Sequence, residues 1–219
     1  MVADKRIKER VMVDKICDYL TNKIRKQMPE VDDERAEIIN YGIHLVIGEI
    51  PKTFVFIGIA AVLGVLKEFF ISMLVIFPYR AFSGGVHLKT HLGCLIATSI
   101  MYCGIAYVSQ FQLFNNNVKY ILIPFVWVFG MAMCKLYAPA DTENVPILRK
   151  KDRRVKQILS YIVLTITLGI GAVINNYMVS NIIILGMFIQ SLTITRIAYK
   201  LTNNKYGYEV YLQEENITM

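Results

Sequence analysis

The sequence predicts an all-α integral membrane protein: six transmembrane helices, a kinked or re-entrant segment between the second and third, and an N-terminal amphipathic helix. Three observations predict it. The 219 residues are 55% hydrophobic and 19% charged, with a mean hydropathy of +0.44, too apolar for one soluble domain of this size. The apolar residues gather into runs, and about twenty such residues are needed to cross a bilayer. The basic residues behind the net charge of +7 stand at the ends of those runs and not on a polar face interleaved with aromatics. That placement fits anionic membrane lipids as partners and gives no reason to expect nucleic acid.

Residues 1–37 are expected as an N-terminal cytoplasmic or interfacial helix, 38–198 as the membrane domain and 199–219 as a cytoplasmic tail. Ile7, Val11, Ile16, Leu20 and Ile24 recur at helical spacing between charged residues. Such a helix either lies in the interface or packs on protein, its own or a second subunit's. The second case leaves a homodimer open. Pro29 ends the helix, and Asp32, Asp33 and Glu34 open the next. The first span falls within Ile38 to Leu66, with Glu49, Pro51 and Lys52 as its awkward residues. A carboxylate inside a span is costly, and an ion pair with Lys52 at the membrane edge is the simpler account of Glu49. Lys67 and Glu68 make a turn, and Phe69 to Phe82 forms a second, short span interrupted by Pro78 and Arg80. Pro78 tends to kink or end a helix. Leu95 to Val108, Val118 to Leu136, Ile158 to Ile174 and Val179 to Ile194 supply the remaining four.

The loop from Tyr137 to Pro146 breaks regular structure twice, at Pro139 and Pro146. A basic run from Arg149 to Lys156 follows it. Lys and Arg concentrate in the N-terminal segment, in this loop and in the tail, which predicts a multi-pass protein with both termini cytoplasmic. The first thirty residues are too charged for a signal peptide, so the first span is expected to direct insertion.

Two of the three histidines, one of the four cysteines and the only Gly-Gly pair fall between Arg80 and Cys94. The cysteines, Cys17, Cys94, Cys103 and Cys134, form no CxxC pair and no secreted-domain framework. A thiol is nucleophilic as thiolate, which an adjacent imidazole or a helix N-terminus favours. His87 and Cys94 offer such a pairing. On an unbroken helix, however, seven residues rise about 10.5 Å, beyond the joint reach of the two side chains. The chain must then fold back near Gly84, Gly85 or His87, which glycine allows. His91, three residues from Cys94, is the nearer base on a straight helix. His87, His91 and Cys94 also have ligand types that suit zinc, but Leu88 stands where an HExxH motif needs its glutamate. Plain packing of these residues at an interface is a third account.

The run Arg80…Gly84-Gly85-Val86-His87…Cys94, the later Ala138-Pro139-Ala140-Asp141-Thr142…Pro146 loop, the basic run after it and the six-span layout together resemble the AgrB family of bacterial quorum-sensing membrane peptidases. The resemblance implies a cysteine endopeptidase of the cell membrane with His87 and Cys94 as catalytic pair, and leaves His91 outside the motif. It implies an AgrD-like propeptide as substrate, losing its C-terminal tail while the rest closes into a thiolactone. No metal or cofactor is expected.

Acyl transfer fits this pairing: His87 deprotonates Cys94, whose thiolate attacks the peptide carbonyl. Oxyanion donors are expected from the amides near Gly84 and Gly85 or from Arg80. Asp141 either orients His87, pairs with Arg80 or simply forms a turn after proline. Cys103 and Cys134 read as packing residues, with Cys134 as the fallback nucleophile, and Cys17 does no chemistry. The rival class is a multi-span peptide transporter or channel, against which stands the lack of an evident inverted repeat or polar path.

Overall fold

The computed structural model describes residues 2–28, 30–86, 88, 91–111, 114, 116–142 and 146–218; the side chains at 2–13, 34, 37, 38, 41, 44, 45, 48, 49, 91, 116 and 214–218 lie outside that description. The described chain is helical, and no strand occurs among these residues. It divides into two compact units, Met1–Gly58 and Ile59–Met219.

The first unit holds α1 (Val2–Gln27) and most of α2 (Asp33–Val62). The amphipathic pattern of the N-terminal residues is realised as one helix, with Cys17 and Thr21 buried on the same face. Asp32 caps α2 by accepting the Arg35 N–H at 2.8 Å, while Arg25 pairs with Asp33 at 2.7 Å. The Asn40 amide donates to Asp18 at 2.8 Å. α2 continues through Pro51. The expected Glu49–Lys52 pair involves a side chain outside the described residues.

The second unit begins with the end of α2. The chain turns at Leu63 and Gly64, not at Lys67 and Glu68 as the sequence suggests. Gly64 takes a left-handed φ of 68°, its N–H meets Ala61 O at 3.1 Å, and Val65 N–H meets Ala60 O at 2.9 Å. These bonds close the helix end in a glycine-dependent cap, and Lys67 and Glu68 fall into the first turn of α3 (Leu66–Ser83). α3 runs through Pro78 and stops at Ser83. After the junction come α4 (His91–Ser99), a π-helical segment Ile100–Gly104, and α5 (Ile105–Ser109). Ser99 Oγ, at the start of the π segment, donates back to Leu95 O at 2.8 Å, a side-chain bond into the preceding turn. α6 (Asn116–Tyr137), α7 (Lys150–Val173) and α8 (Tyr177–Thr193) follow. The expected tail forms α9 (Arg196–Leu201) and α10 (Gly207–Thr218).

α8 is the axis of this unit, packed against α3, α5, α6 and α7. It is initiated by Asn176, whose side chain accepts the N–H groups of Met178 and Val179. Close approach uses missing side chains: Gly186 of α8 lies against Ile76 of α3, and Gly171 of α7 against Ile183 of α8. Tyr79, Val126, Leu164, Leu168, Ile183 and Met187 form the buried centre. The outer helices expose Leu74, Phe77, Ile121, Val128 and Ile166, which is the surface a lipid phase requires.

Three stretches are long and apolar enough to cross a membrane, Leu92–Ser109, Asn117–Tyr137 and Lys150–Val173; Ile50–Val62 and Tyr177–Thr193 are shorter apolar helices. α3 carries Lys67, Glu68 and Arg80 within eighteen residues. The chain is therefore a helical membrane protein whose sequence-predicted spans differ in how strongly length and composition support them.

Candidate functional site

The last turn of α3 delivers Tyr79, Arg80 and Ser83 to the point where the helix breaks. Gly84 has φ 73° and ψ −151°, and its N–H bonds to Arg80 O at 2.9 Å. Gly85 has φ 143°. The two residues run beside the loop after α6 as an isolated parallel bridge between Gly84 and Ala140. Gly85 N–H donates to Ala140 O at 2.9 Å, and Ala140 N–H donates to Ser83 O at 2.8 Å. A Cβ on Gly84 would overlap the Ala140 carbonyl, and one on Gly85 would lie 2.8 Å from Thr193 Oγ1. Both conformation and space thus demand glycine at these two positions.

The end of α8 supplies the other wall. Gln190 is fully buried; its Nε2 donates to Gly84 O at 2.8 Å and to Ser83 Oγ at 3.1 Å, and its Oε1 accepts from Arg80 Nη1 at 3.1 Å. Arg80 Nη2 donates to Val86 O at 2.9 Å, and Val86 N–H donates to Thr193 O at 3.2 Å. The Gly84 and Gly85 amides offered by the sequence as oxyanion donors are therefore spent on protein carbonyls. The two terminal nitrogens of Arg80 are likewise engaged.

Gly84, Gly85, Val86 and Leu88 are non-helical, and helix resumes at His91. A single straight helix from Gly84 to Cys94 is excluded. Cys94 stands in the first turn of α4, half-buried, with Sγ 4.0 Å from Thr98 Oγ1. His87 lies outside the described residues. The His91 backbone opens α4, and its side chain also lies outside them. Among the sequence-predicted site residues, the structure bonds Gly84 to Arg80, holds Gly85 on Ala140, and places Cys94 in the first turn of α4.

Asp141 departs from one expectation: its ion-pair partner is Arg153, not Arg80. Arg153 Nη1 reaches Asp141 Oδ2 at 2.8 Å, and the Asp141 side chain is 1% exposed. The same oxygen accepts Ile147 N–H at 2.9 Å, whereas the buried Oδ1 has no hydrogen-bond partner among the described residues. Arg80 is already committed to Gln190 and Val86, while Arg153, on the first turn of α7, faces the loop. It also donates to Pro139 O at 3.2 Å and lies over the Tyr208 ring at 4.3 Å. Tyr199 OH donates to Asp141 O at 2.9 Å. Burial, reinforced by Tyr206 and Asp141, pushes the Tyr199 phenol above its ordinary value and keeps it a neutral donor. The turn role of Asp141 is present as well, its N–H bonding to Pro139 O at 3.2 Å.

Cys134 is buried and contacts Tyr79 OH at 3.1 Å, while the same hydroxyl meets Ser191 Oγ at 2.9 Å. Sequence reasoning missed Gln190 and Thr193, and treated Arg153 as one charge in a basic run. The available signal was Gln190 itself, a polar residue within an otherwise apolar segment, which must face protein or water.

A family model for AgrB, accessory gene regulator B, matches residues 17–194. An AgrB-like protein of Listeria monocytogenes is 28% identical over 200 residues, covering 90% of this chain and 94% of the relative. AgrB-like proteins of Clostridium perfringens and Clostridium acetobutylicum are 28% and 24% identical, over 85% and 89% of this chain and 92% and 91% of their own lengths. No solved structure matches the chain.

Proposed function

Since the chain belongs to the AgrB family of the accessory gene regulator system, we propose that it is a membrane cysteine endopeptidase that removes the C-terminal tail of an AgrD-like propeptide through a Cys94 acyl-enzyme. The observation that carries this reading is the break between Ser83 and His91, followed by a half-buried Cys94 at the start of α4. With no continuous helix between them, the helical rise that would hold His87 and Cys94 apart does not apply. The topology proposed with it has six spans and both termini in the cytoplasm, the site facing the same side.

His87 takes the Cys94 proton and the thiolate attacks the carbonyl at the tail junction. The carbon–nitrogen bond breaks as the proton passes from His87 to the leaving amine. The propeptide's own cysteine thiol then displaces Cys94, closing the thiolactone and restoring the enzyme thiol; its attack within the bound peptide has a high effective concentration. Because the Gly84 and Gly85 amides are occupied, the positive end of the α4 dipole is the stabiliser assigned to the oxyanion. Exchanging an amide for a thioester is uphill, so cleavage is reversible until tail or ring product leaves.

The test uses purified full-length protein in lipid vesicles with a candidate propeptide. Cys94→Ala and His87→Ala each lower tail release at least about a thousandfold, while Cys134→Ala and His91→Ala stay within about threefold. Cleavage surviving Cys94→Ala sinks the peptidase assignment and leaves the transporter reading; loss with His91→Ala but not His87→Ala reassigns the base.

A further inference from the structure

The end of α8 contributes a residue to this site for which the AgrB resemblance names no role. Gln190 is the point where three separate parts of the junction meet: the Arg80 guanidinium, the Ser83 hydroxyl that ends α3, and the Gly84 carbonyl. All three bonds leave one fully buried amide, whose donor and acceptor ends are both used. The backbone behind it is held in turn, because Thr193 Oγ1 donates to Gln190 O at 2.8 Å and Thr193 O accepts Val86 N–H at 3.2 Å. Arg80, fixed by Gln190, holds the Val86 carbonyl at 2.9 Å. That carbonyl belongs to the peptide group bonded directly to His87.

We infer that Gln190 is a positioning residue for the catalytic base: through Arg80 and Gly84 it sets the direction in which the chain enters His87. This rests on the peptidase reading above and deepens it. Arg80 then acts as a strut, with one N–H of each terminal nitrogen bonded to Gln190 and to Val86. The alternative of Gln190 as filler fails on chemistry, since a buried primary amide is costly unless its donors and acceptor are met. An apolar side chain of like shape would fill the space without that requirement.

The experiment compares Gln190→Met, Gln190→Asn and Gln190→Glu with the parent in full-length protein in lipid nanodiscs. Tail-release kinetics are recorded together with the pH profile of Cys94 alkylation, read by mass spectrometry on the Cys94 peptide. Gln190→Met, similar in shape but without donor or acceptor, is expected to lower kcat about tenfold to a hundredfold with KM within about twofold. The alkylation profile of Cys94 moves toward that of an unassisted thiol. Gln190→Glu keeps an acceptor for Arg80 but turns a second acceptor onto the Gly84 carbonyl, so it is expected to lose kcat in the same range as Gln190→Met. A kcat for Gln190→Met or Gln190→Glu within twofold of the parent, or an alkylation profile that does not move, overturns the inference. Should Gln190→Met fail to fold, Gln190→Asn decides: it retains the amide one methylene short and is expected to fall in the same range, and a parental kcat overturns the proposal. If the parent cleaves and Gln190→Met cleaves equally well, only the positioning role is lost. If cleavage survives Cys94→Ala, the peptidase reading itself fails.

Discussion

The stretch from Arg80 to Val86 and the start of α4 lie a few residues apart and are built in opposite ways. In the first, Gly84, Gly85 and Val86 each have a hydrogen-bonded amide, and Gly84 and Val86 also have side chains from other residues on their carbonyls. The partners come from the loop after α6, from the end of α8 and from Arg80 of α3. In the second, Cys94 is held by the regularity of its own helix, with Thr98 as a neighbour at 4.0 Å, and Leu92 and Ile96 are exposed. Among the described residues, the tertiary hydrogen bonds of this region gather on the stretch that ends at Val86. The chain is thus pinned up to Val86, while the exposed Leu92 and Ile96 leave an apolar face of α4 open. The contacts of the first stretch are also why glycine is required at 84 and 85.

The contrast breaks most severely if the support under the junction is removed. Arg153→Met leaves the Asp141 carboxylate buried without its cation, and a loss of about 3–5 kcal/mol is expected in unfolding experiments in mild detergent. Adding Asp141→Asn recovers more than half of that loss; a single variant of parental stability shows that the ion pair does not support the loop. Gly84→Ala acts on the junction itself. Its φ of 73° and the overlap with the Ala140 carbonyl predict a cost of about 1–3 kcal/mol together with loss of tail release. An active, stable Gly84→Ala protein would mean that the bridge to Ala140 is dispensable. The smallest effect belongs to the other side: Thr98→Val removes the hydroxyl near Cys94 and changes tail release by less than about twofold, because a 4.0 Å contact carries little energy. A tenfold change would show that Cys94 depends on tertiary support after all and would erase the contrast.

Much of the architecture is legible in the chain. The charged, 3.6-periodic start becomes α1, the apolar runs become helices, and the Gly-Gly pair marks the place where α3 ends. These are local properties, carried by periodicity, hydropathy and the φ range of glycine. The turn at Gly64 was within reach for the same reason, but charge at Lys67 and Glu68 was the more conspicuous signal. The π segment was not, because it depends on one extra residue in a turn and leaves no periodicity of its own. At the site, the residue types were readable and their partners were not. Asp141 and Arg80 are both isolated charges near apolar segments, and opposite charge alone suggests pairing them.

By itself the sequence determined a helical membrane protein, a fold-back near Gly84, Gly85 or His87 if His87 and Cys94 are to meet, and the candidates Arg80, Gly84, Gly85, His87, His91, Cys94 and Asp141. Only the tertiary structure decided that Arg80 serves Gln190 and Val86, that Asp141 belongs to Arg153, and that the Gly84–Gly85 amides are already used. The physical reason is range. Hydrophobic pattern and backbone preference act between neighbours in sequence, whereas a buried hydrogen bond takes whichever group the packing of distant helices brings within about 3 Å, and it must be satisfied there or not at all.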